Sequence, residues 1–329
     1  MYDLQIDQPA PLVDREHRIE LNERIGALGE IVNEPTLVEI DDAVDEVIES
    51  KAEACAVGFL FGFRNPVHEQ QFATALLAKA PQIAVSLSSE VQPEFREYER
   101  FSTTVLNAYL QPVLSQYIHT LEQGVEVVAP GASLGINQSS GGLMSPKRSR
   151  EFPIRTALSG PAAGAVGAGH AASQTNRRNI ITLDMGGTSA DVSLIRDFKV
   201  DLAFNRNVVG FPIRMPCVDV ETVGAGGGSI AWFDRDGLLK VGPISAGAVP
   251  GPACYGAGGD QPTVTDANLL LGRLSTRGLL DGDMGLDAAL SRTAYQPLAD
   301  QLNFSVEKTA HGVLGIVVAT LSLIHLCRF

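Results

Sequence analysis

Ten residues constrain this chain more than any others: Asp184-Met-Gly-Gly-Thr-Ser-Ala-Asp-Val-Ser193. A short apolar stretch within 178–183 delivers an acidic residue to its tip, and Val192–Ile195 leads away as a second apolar stretch. Short β-rich runs on either side of a glycine pair read as the two strands of a hairpin. Two glycines let the backbone turn sharply and expose its N–H groups. Thr188 and Ser189 add hydroxyls. Backbone N–H groups and hydroxyls together can cradle phosphate oxygens. A carboxylate beside them can hold Mg²⁺ through water or orient a nucleophile. The plain alternative is a tight hairpin with a polar tip.

Upstream, the pattern alternates. Asp41 and Asp42 precede Val44, Val47 and Ile48 at helical spacing, which predicts a capped amphipathic helix over 41–53. The apolar run 54–63 reads as a strand buried on both faces. Pro66 opens a second helix through about Lys79, and Ile83–Ser86 reads as another strand. This rhythm belongs to an α/β layer. A long helical segment over 93–123 follows, with a kink expected at Pro112. Beyond the hairpin, Lys199–Phe204 reads as a strand. Ile230–Phe233 and Leu238–Val241 read as a second hairpin, turned at Asp234-Arg-Asp-Gly237. Asp266 is the expected cap of a short helix ending at Leu271.

A second glycine-rich loop, Val223-Gly-Ala-Gly-Gly-Gly-Ser229, lacks side chains where a ligand or another backbone must come close. Gly226, Gly227, Gly228 and Ser229 are therefore candidates for contact with a nucleotide or substrate, with a bulge between tight strands as the alternative. Ser159-Gly-Pro161 opens a Gly/Ala helix suited either to an anion or to close packing. Residues 242–262 form a loop with six Gly and four Pro, and loops of this length are usually functional or disordered. Cys254 within it is a nucleophile or a buried inert thiol, and the inert role is favoured because no His lies nearby in sequence.

Composition removes several classes. The net charge is −13, and residues 1–100 alone hold 20 acidic against 8 basic side chains. No basic face for nucleic acid is expected. The four cysteines are far apart, and the six histidines show no metal-ligand spacing. The first thirty residues are charged, so a cytoplasmic protein without a signal peptide is expected. The apolar stretch Gly312–Cys327 is 16 residues long, short of the roughly 20 a membrane span needs. Leu321, Leu323, Ile324, Leu326 and Phe329 crowd around one short helix and are expected to lie exposed.

Longer strings carry a resemblance. They are Ser86-Leu-Ser-Ser-Glu-Val91, Arg96-Glu-Tyr-Glu-Arg-Phe-Ser-Thr-Thr-Val105, Leu158-Ser-Gly-Pro161, Asp184–Ile195, Val223–Trp232, Val241–Gly256 and Pro262–Asn268. Together they resemble the hydantoinase/oxoprolinase family over about residues 1–318. The resemblance implies an α/β fold with ribonuclease-H-like mixed sheets flanked by helices, of the actin and sugar-kinase type. It implies ATP and Mg²⁺ as cofactors, and hydrolysis of a small cyclic amide of 5-oxoproline or hydantoin type. The ATP-handling subunit of an acetone- or acetophenone-type carboxylase is the alternative, and a catalytically inert binding or assembly subunit is another. A hydantoinase B-type partner is expected, with no nucleic acid and no membrane.

The resemblance also divides the chain. Residues 1–125 would be the latter part of an N-terminal domain, 126–318 a hydantoinase A-type domain, and 319–329 an atypical apolar tail. Asp184 and Asp191 would be catalytic, with Asp184 facing Mg²⁺. Gly186, Gly187, Thr188 and Ser189 would hold phosphates. Family members carry a second acid-x-Gly-Gly-Thr loop near their N-terminus. With one such loop here, a fragment of a larger enzyme is expected, inactive alone.

Overall fold

Thr36 caps the first helix, five residues before Asp41. In the computed structural model, which describes residues 10–278 and 284–328, the helix spans Leu37–Glu49. The Thr36 hydroxyl accepts from the Glu39 N–H at 3.2 Å, and the Glu39 carboxylate accepts from the Thr36 N–H at 2.7 Å. This reciprocal box satisfies two donors that a helix start leaves orphaned. Asp41 and Asp42 therefore sit inside the helix instead of capping it, and Asp41 pairs with Lys79 at 2.7 Å. The misplaced cap has a simple cause. Any Thr or Asp can cap, and only the residue three positions on decides which one does.

The chain divides into two compact units. The first holds residues up to Ala171 together with Val200–Asp219, and the second holds Ala172–Lys199 and everything from Val220 on. The units are discontinuous in sequence, and residue 125 lies in the last turn of the long helix Glu97–Val128.

In the first unit, strands Ala54–Val57 and Ala84–Leu87 pair in parallel. The expected strand 54–63 is shorter, because the chain leaves it in turns after Val57, with Phe61 at a left-handed φ of 60°. Helices Leu37–Glu49 and Val67–Lys79 share one core with this pair, built from Ile40, Val44, Val47, Val57, Phe72 and Leu76. The long helix passes through Pro112 without ending. A second core joins Leu106 of that helix to Phe152, Ile154, Ile213 and Met215. Ile213 and Met215 lie in the antiparallel hairpin Leu202–Val208 and Phe211–Val218. The strings around Ser88 and Arg100 meet inside this unit. The buried Arg100 donates to the Phe59 carbonyl at 2.8 Å, the Glu94 carbonyl at 2.9 Å and Ser88 Oγ at 3.2 Å. Ser88 in turn donates to Glu69 Oε1 at 2.6 Å.

In the second unit, strand Ala190–Arg196 lies between Ile180–Met185 and Val220–Val223, both antiparallel to it. A separate hairpin pairs Ser229–Phe233 with Leu239–Ser245, turned at Asp234–Gly237 as the sequence indicates. Helices Val264–Leu270, Ala288–Leu302 and Val306–Arg328 complete the unit. Their core is Val264, Ala267, Tyr295, Leu298, Val306, Ala310, Val313 and Val317, with Leu321 packed against it. Leu321 is thus not the exposed residue expected from crowding, since the helical stripe that buries Val313 and Val317 continues to it. The side chains of Leu323, Ile324 and Leu326, and all of Phe329, lie outside the described residues.

Candidate functional site

The Gly-Gly hairpin forms as its pattern requires. Ile180–Met185 pairs with Ala190–Arg196, and the Gly186 N–H closes the turn onto the Ser189 carbonyl at 2.8 Å. Neither Gly186 nor Gly187 takes a left-handed φ, so the glycines are not there to relieve backbone strain. What Gly187 provides is room: a Cβ built on it meets no atom within 4 Å. Among the described residues, nothing accepts from the N–H groups of Gly187, Thr188 or Ser189. Gly187 and Thr188 are exposed.

Cross-strand register sets the carboxylates. Asp184 lies directly opposite Asp191, and Asp191 directly opposite Thr222 on the third strand. Direct partners share a face of the sheet, and like charges placed opposite each other are destabilising. Thr222 Oγ1 donates to Asp191 Oδ1 at 2.6 Å. One register step back on the same face, Thr182 Oγ1 and Ser193 Oγ lie 2.5 Å apart. A polar stripe therefore runs up this face to the hairpin tip. Asp184 and Asp191 belonged to the motif. Thr222 carried no signal of its own, because its role comes from strand pairing across 31 residues. Among the described residues no group of three or more His, Cys, Asp or Glu side chains could hold a metal.

The two glycine loops, separate in sequence, meet. The Gly227 N–H donates to the Gly186 carbonyl at 2.9 Å and the Gly228 N–H to the Gly187 carbonyl at 2.6 Å. The Gly226 N–H is taken by Ser229 Oγ at 2.8 Å. A Cβ at Gly226 would lie 2.5–2.6 Å from the backbone of Thr188 and Ser189. Only glycine fits there, and it is another backbone that comes close.

The sequence profile of the hydantoinase/oxoprolinase family matches residues 100–323, and that of the family's N-terminal region matches residues 1–79. The chain belongs to the hydantoinase/oxoprolinase family. It is 39% identical over 317 residues to the caprolactamase alpha subunit of Pseudomonas jessenii, covering 96% of this chain and 46% of that protein. The crystal structure of the ATP-dependent caprolactamase from the same organism superposes with a TM-score of 0.81 at 38% identity, covering 97% of this chain and 46% of that one. The nucleotide-free structure of acetone carboxylase superposes with a TM-score of 0.78 at 29% identity, covering 93% and 44%. The 5-oxoprolinase of Saccharomyces cerevisiae is 32% identical over 304 residues, covering 88% and 23%. The chain spans half or less of the length of these relatives.

Other candidates of this family member resolve into structure. Cys254 is buried, and burial above all, with Asp266 beside it, pushes its thiol up to about 12. It is an inert thiol, not an activated one. Asp266 is no helix cap. Thr263 caps Val264–Leu270, and Asp266 reaches back to it as the other half of a capping box. The fully buried Asp266 carboxylate also accepts from the N–H groups of Ala253 at 3.2 Å and Cys254 at 2.8 Å, and from Ser291 Oγ at 2.6 Å. It thereby ties the Gly/Pro loop to two helices. In the Gly/Ala helix Ser159–Gln174, Ala162 and Ala165 are buried, whereas a Cβ at Gly160, Gly164 or Gly167 would meet nothing within 4 Å. Close packing is thus the work of the alanines. No single helix among the described residues is long and apolar enough to cross a membrane.

Proposed function

We propose that this chain is the ATP-handling part of an enzyme that opens a small cyclic amide of 5-oxoproline or hydantoin type. One observation carries the proposal: Gly187, Thr188 and Ser189 present three N–H groups without an internal acceptor, beside open space at Gly187. A row of such donors suits phosphate oxygens. The antiparallel hairpin beside helices supports a ribonuclease-H-like reading of this half. The ATP dependence of the caprolactamase and of acetone carboxylation points the same way.

The residues fit a magnesium nucleotide. Two carboxylates opposite each other on one face favour a cation nearby, and Mg²⁺ is commonly bound by one or two carboxylates plus substrate phosphates. Gly187, Thr188 and Ser189 would donate to phosphate oxygens through N–H and hydroxyl groups. Gly186 would shape the turn, its own N–H being engaged within it. Asp184 would face Mg²⁺, through water, or orient the attacking group. Asp191, held by Thr222, would steady that arrangement. When bound, ATP would supply the phosphoryl group that makes the ring carbonyl reactive. A hydantoinase B-type partner would complete the enzyme.

A second reading, the ATP-handling subunit of a ketone carboxylase, draws on the likeness to acetone carboxylase. ADP release by the full-length protein with its partner separates the two. Stimulation by 5-oxoproline, hydantoin or caprolactam supports the amidase reading, and stimulation only by acetone with bicarbonate replaces it. Absence of ATP consumption with every compound rejects both.

A further inference from the structure

Three consecutive glycines are costly to order, since each loses more backbone freedom on folding than any other residue. Close approach explains all three: a Cβ would lie 2.5–2.6 Å from the backbone of Thr188 and Ser189 at Gly226, 2.8 Å from Thr265 Oγ1 at Gly227, and 2.9 Å from Ser245 Oγ and 3.0 Å from the Gly187 carbonyl at Gly228. What this approach secures lies in where the N–H groups of Gly227 and Gly228 go. In a trans peptide, the carbonyl of one residue and the N–H of the next point in opposite directions. The Gly186 carbonyl is held toward the second loop by Gly227. The Gly187 N–H is thereby turned away from that loop. The Gly187 carbonyl is held the same way by Gly228, which turns the Thr188 N–H to the same outer side. Gly187 and Thr188 are exposed, and a Cβ at Gly187 would meet no atom within 4 Å. The second loop is itself anchored from behind. The Gly227 carbonyl accepts from the Thr265 N–H at 2.7 Å and Thr265 Oγ1 at 2.9 Å, and the Gly228 carbonyl accepts from the Ala246 N–H at 2.8 Å.

We propose that Gly226–Gly228 is a clamp that presets the hairpin's N–H donors for phosphate, with Thr265 as the positioning residue that anchors it. In this role the second loop does not touch the nucleotide. It fixes two peptide planes so that no reorganisation is needed when an anion arrives, which is where preset donors gain over mobile ones. The proposal rests on the phosphate reading of the hairpin. It adds a role for Thr265, which lies in the string Pro262–Asn268 without a role assigned to it there.

The test is calorimetric titration of the 329-residue chain with Mg-ATP, inorganic pyrophosphate and adenosine, in the wild type, Thr265→Val and Thr265→Ser. Valine keeps the shape and the backbone N–H but removes the hydroxyl donor. Thr265→Val is expected to weaken Mg-ATP and pyrophosphate alike by about tenfold, because small misplacements of binding groups carry such penalties. Adenosine should bind each protein equally, and Thr265→Ser should restore wild-type values. A general loss of structure would not spare adenosine. If Thr265→Val folds poorly, Thr265→Ala reads the same contact with a smaller side chain. Wild-type affinity for pyrophosphate in the variants overturns the clamp and leaves the phosphate site standing. A wild type that binds neither Mg-ATP nor pyrophosphate overturns the phosphate site, and the clamp with it.

Discussion

Gly187 and Gly226 look alike in sequence and call for opposite experiments. A Cβ at Gly187 meets no protein atom within 4 Å, whereas one at Gly226 would strike the backbone of Thr188 and Ser189. Gly187→Val should therefore fold normally and still lose Mg-ATP binding, the new side chain filling the ligand's place. Calorimetry alongside thermal melting checks this, and a folded variant with wild-type affinity would sink the site. Asp184→Asn keeps shape but removes charge. In the full-length enzyme it should lower turnover on the order of 100–1,000-fold, the usual scale for a lost electrostatic contact, with binding of the cyclic substrate little changed. Steady-state kinetics paired with binding would decide it. The cysteines give a pH prediction. Burial raises Cys55 and Cys217 from 9.0 to about 11 and Cys254 to about 12. The unfolded chain thus releases these protons first as pH climbs past about 9, so it binds fewer protons than the native state and stability falls. Denaturant melts between pH 8 and 11 should show that decline, and it should be shallower in the triple Cys→Ala variant, which keeps the part that the raised Tyr255, Tyr295 and Lys79 groups contribute at the alkaline end. At this scale the hairpin that carries Asp184, Asp191 and the glycine pair was legible, because a turn and its flanking strands are local. Thr222 and Thr265 were not. Each acts on a partner more than 30 residues away in sequence, and Thr265 acts on a backbone carbonyl that leaves no side-chain trace.

Elements were read best where periodicity and a breaker agree. Pro66 before Val67–Lys79 and the turn at Asp234–Gly237 are such cases. Caps were misread twice, at Asp41 and at Asp266, each time because a Thr upstream holds the capping position. The capping box at Thr36 predicts that Thr36→Ala costs about 1 kcal/mol, as exposed N-caps typically do. The Asp266 carboxylate predicts much more. Asp266→Ala strands buried donors at Ala253, Cys254, Thr263 and Ser291. Unsatisfied buried groups cost about 1–3 kcal/mol each, and the full loss should be on the order of 3–5 kcal/mol, as for other broken buried charge networks. Urea unfolding measures it. A loss below that of Thr36→Ala would mean that Asp266 does not tie the loop. The role was hidden in the sequence because residues 253, 254, 263 and 291 converge on it only in the folded chain.

Over the whole molecule, charge is the property composition made plainest. The first 100 residues carry a net −12, from 20 acidic and 8 basic side chains, within a total of −13. Self-repulsion of this kind is screened over about 10 Å at 0.1 M salt. The melting temperature should rise between low salt and about 0.3 M NaCl, and scanning calorimetry reads it. A fall would mean that the surface ion pairs outweigh the repulsion. The compact units are discontinuous in sequence: Val200–Asp219 returns to the first unit, and its hairpin completes a core begun by the long helix. The Gly/Pro loop 242–262, tied down by Asp266, has little disorder left to surrender when a small molecule lands on its half. Association should then carry a modest negative heat-capacity change, scaled to the apolar surface the visitor covers, without the large extra contribution of a segment that folds as it binds.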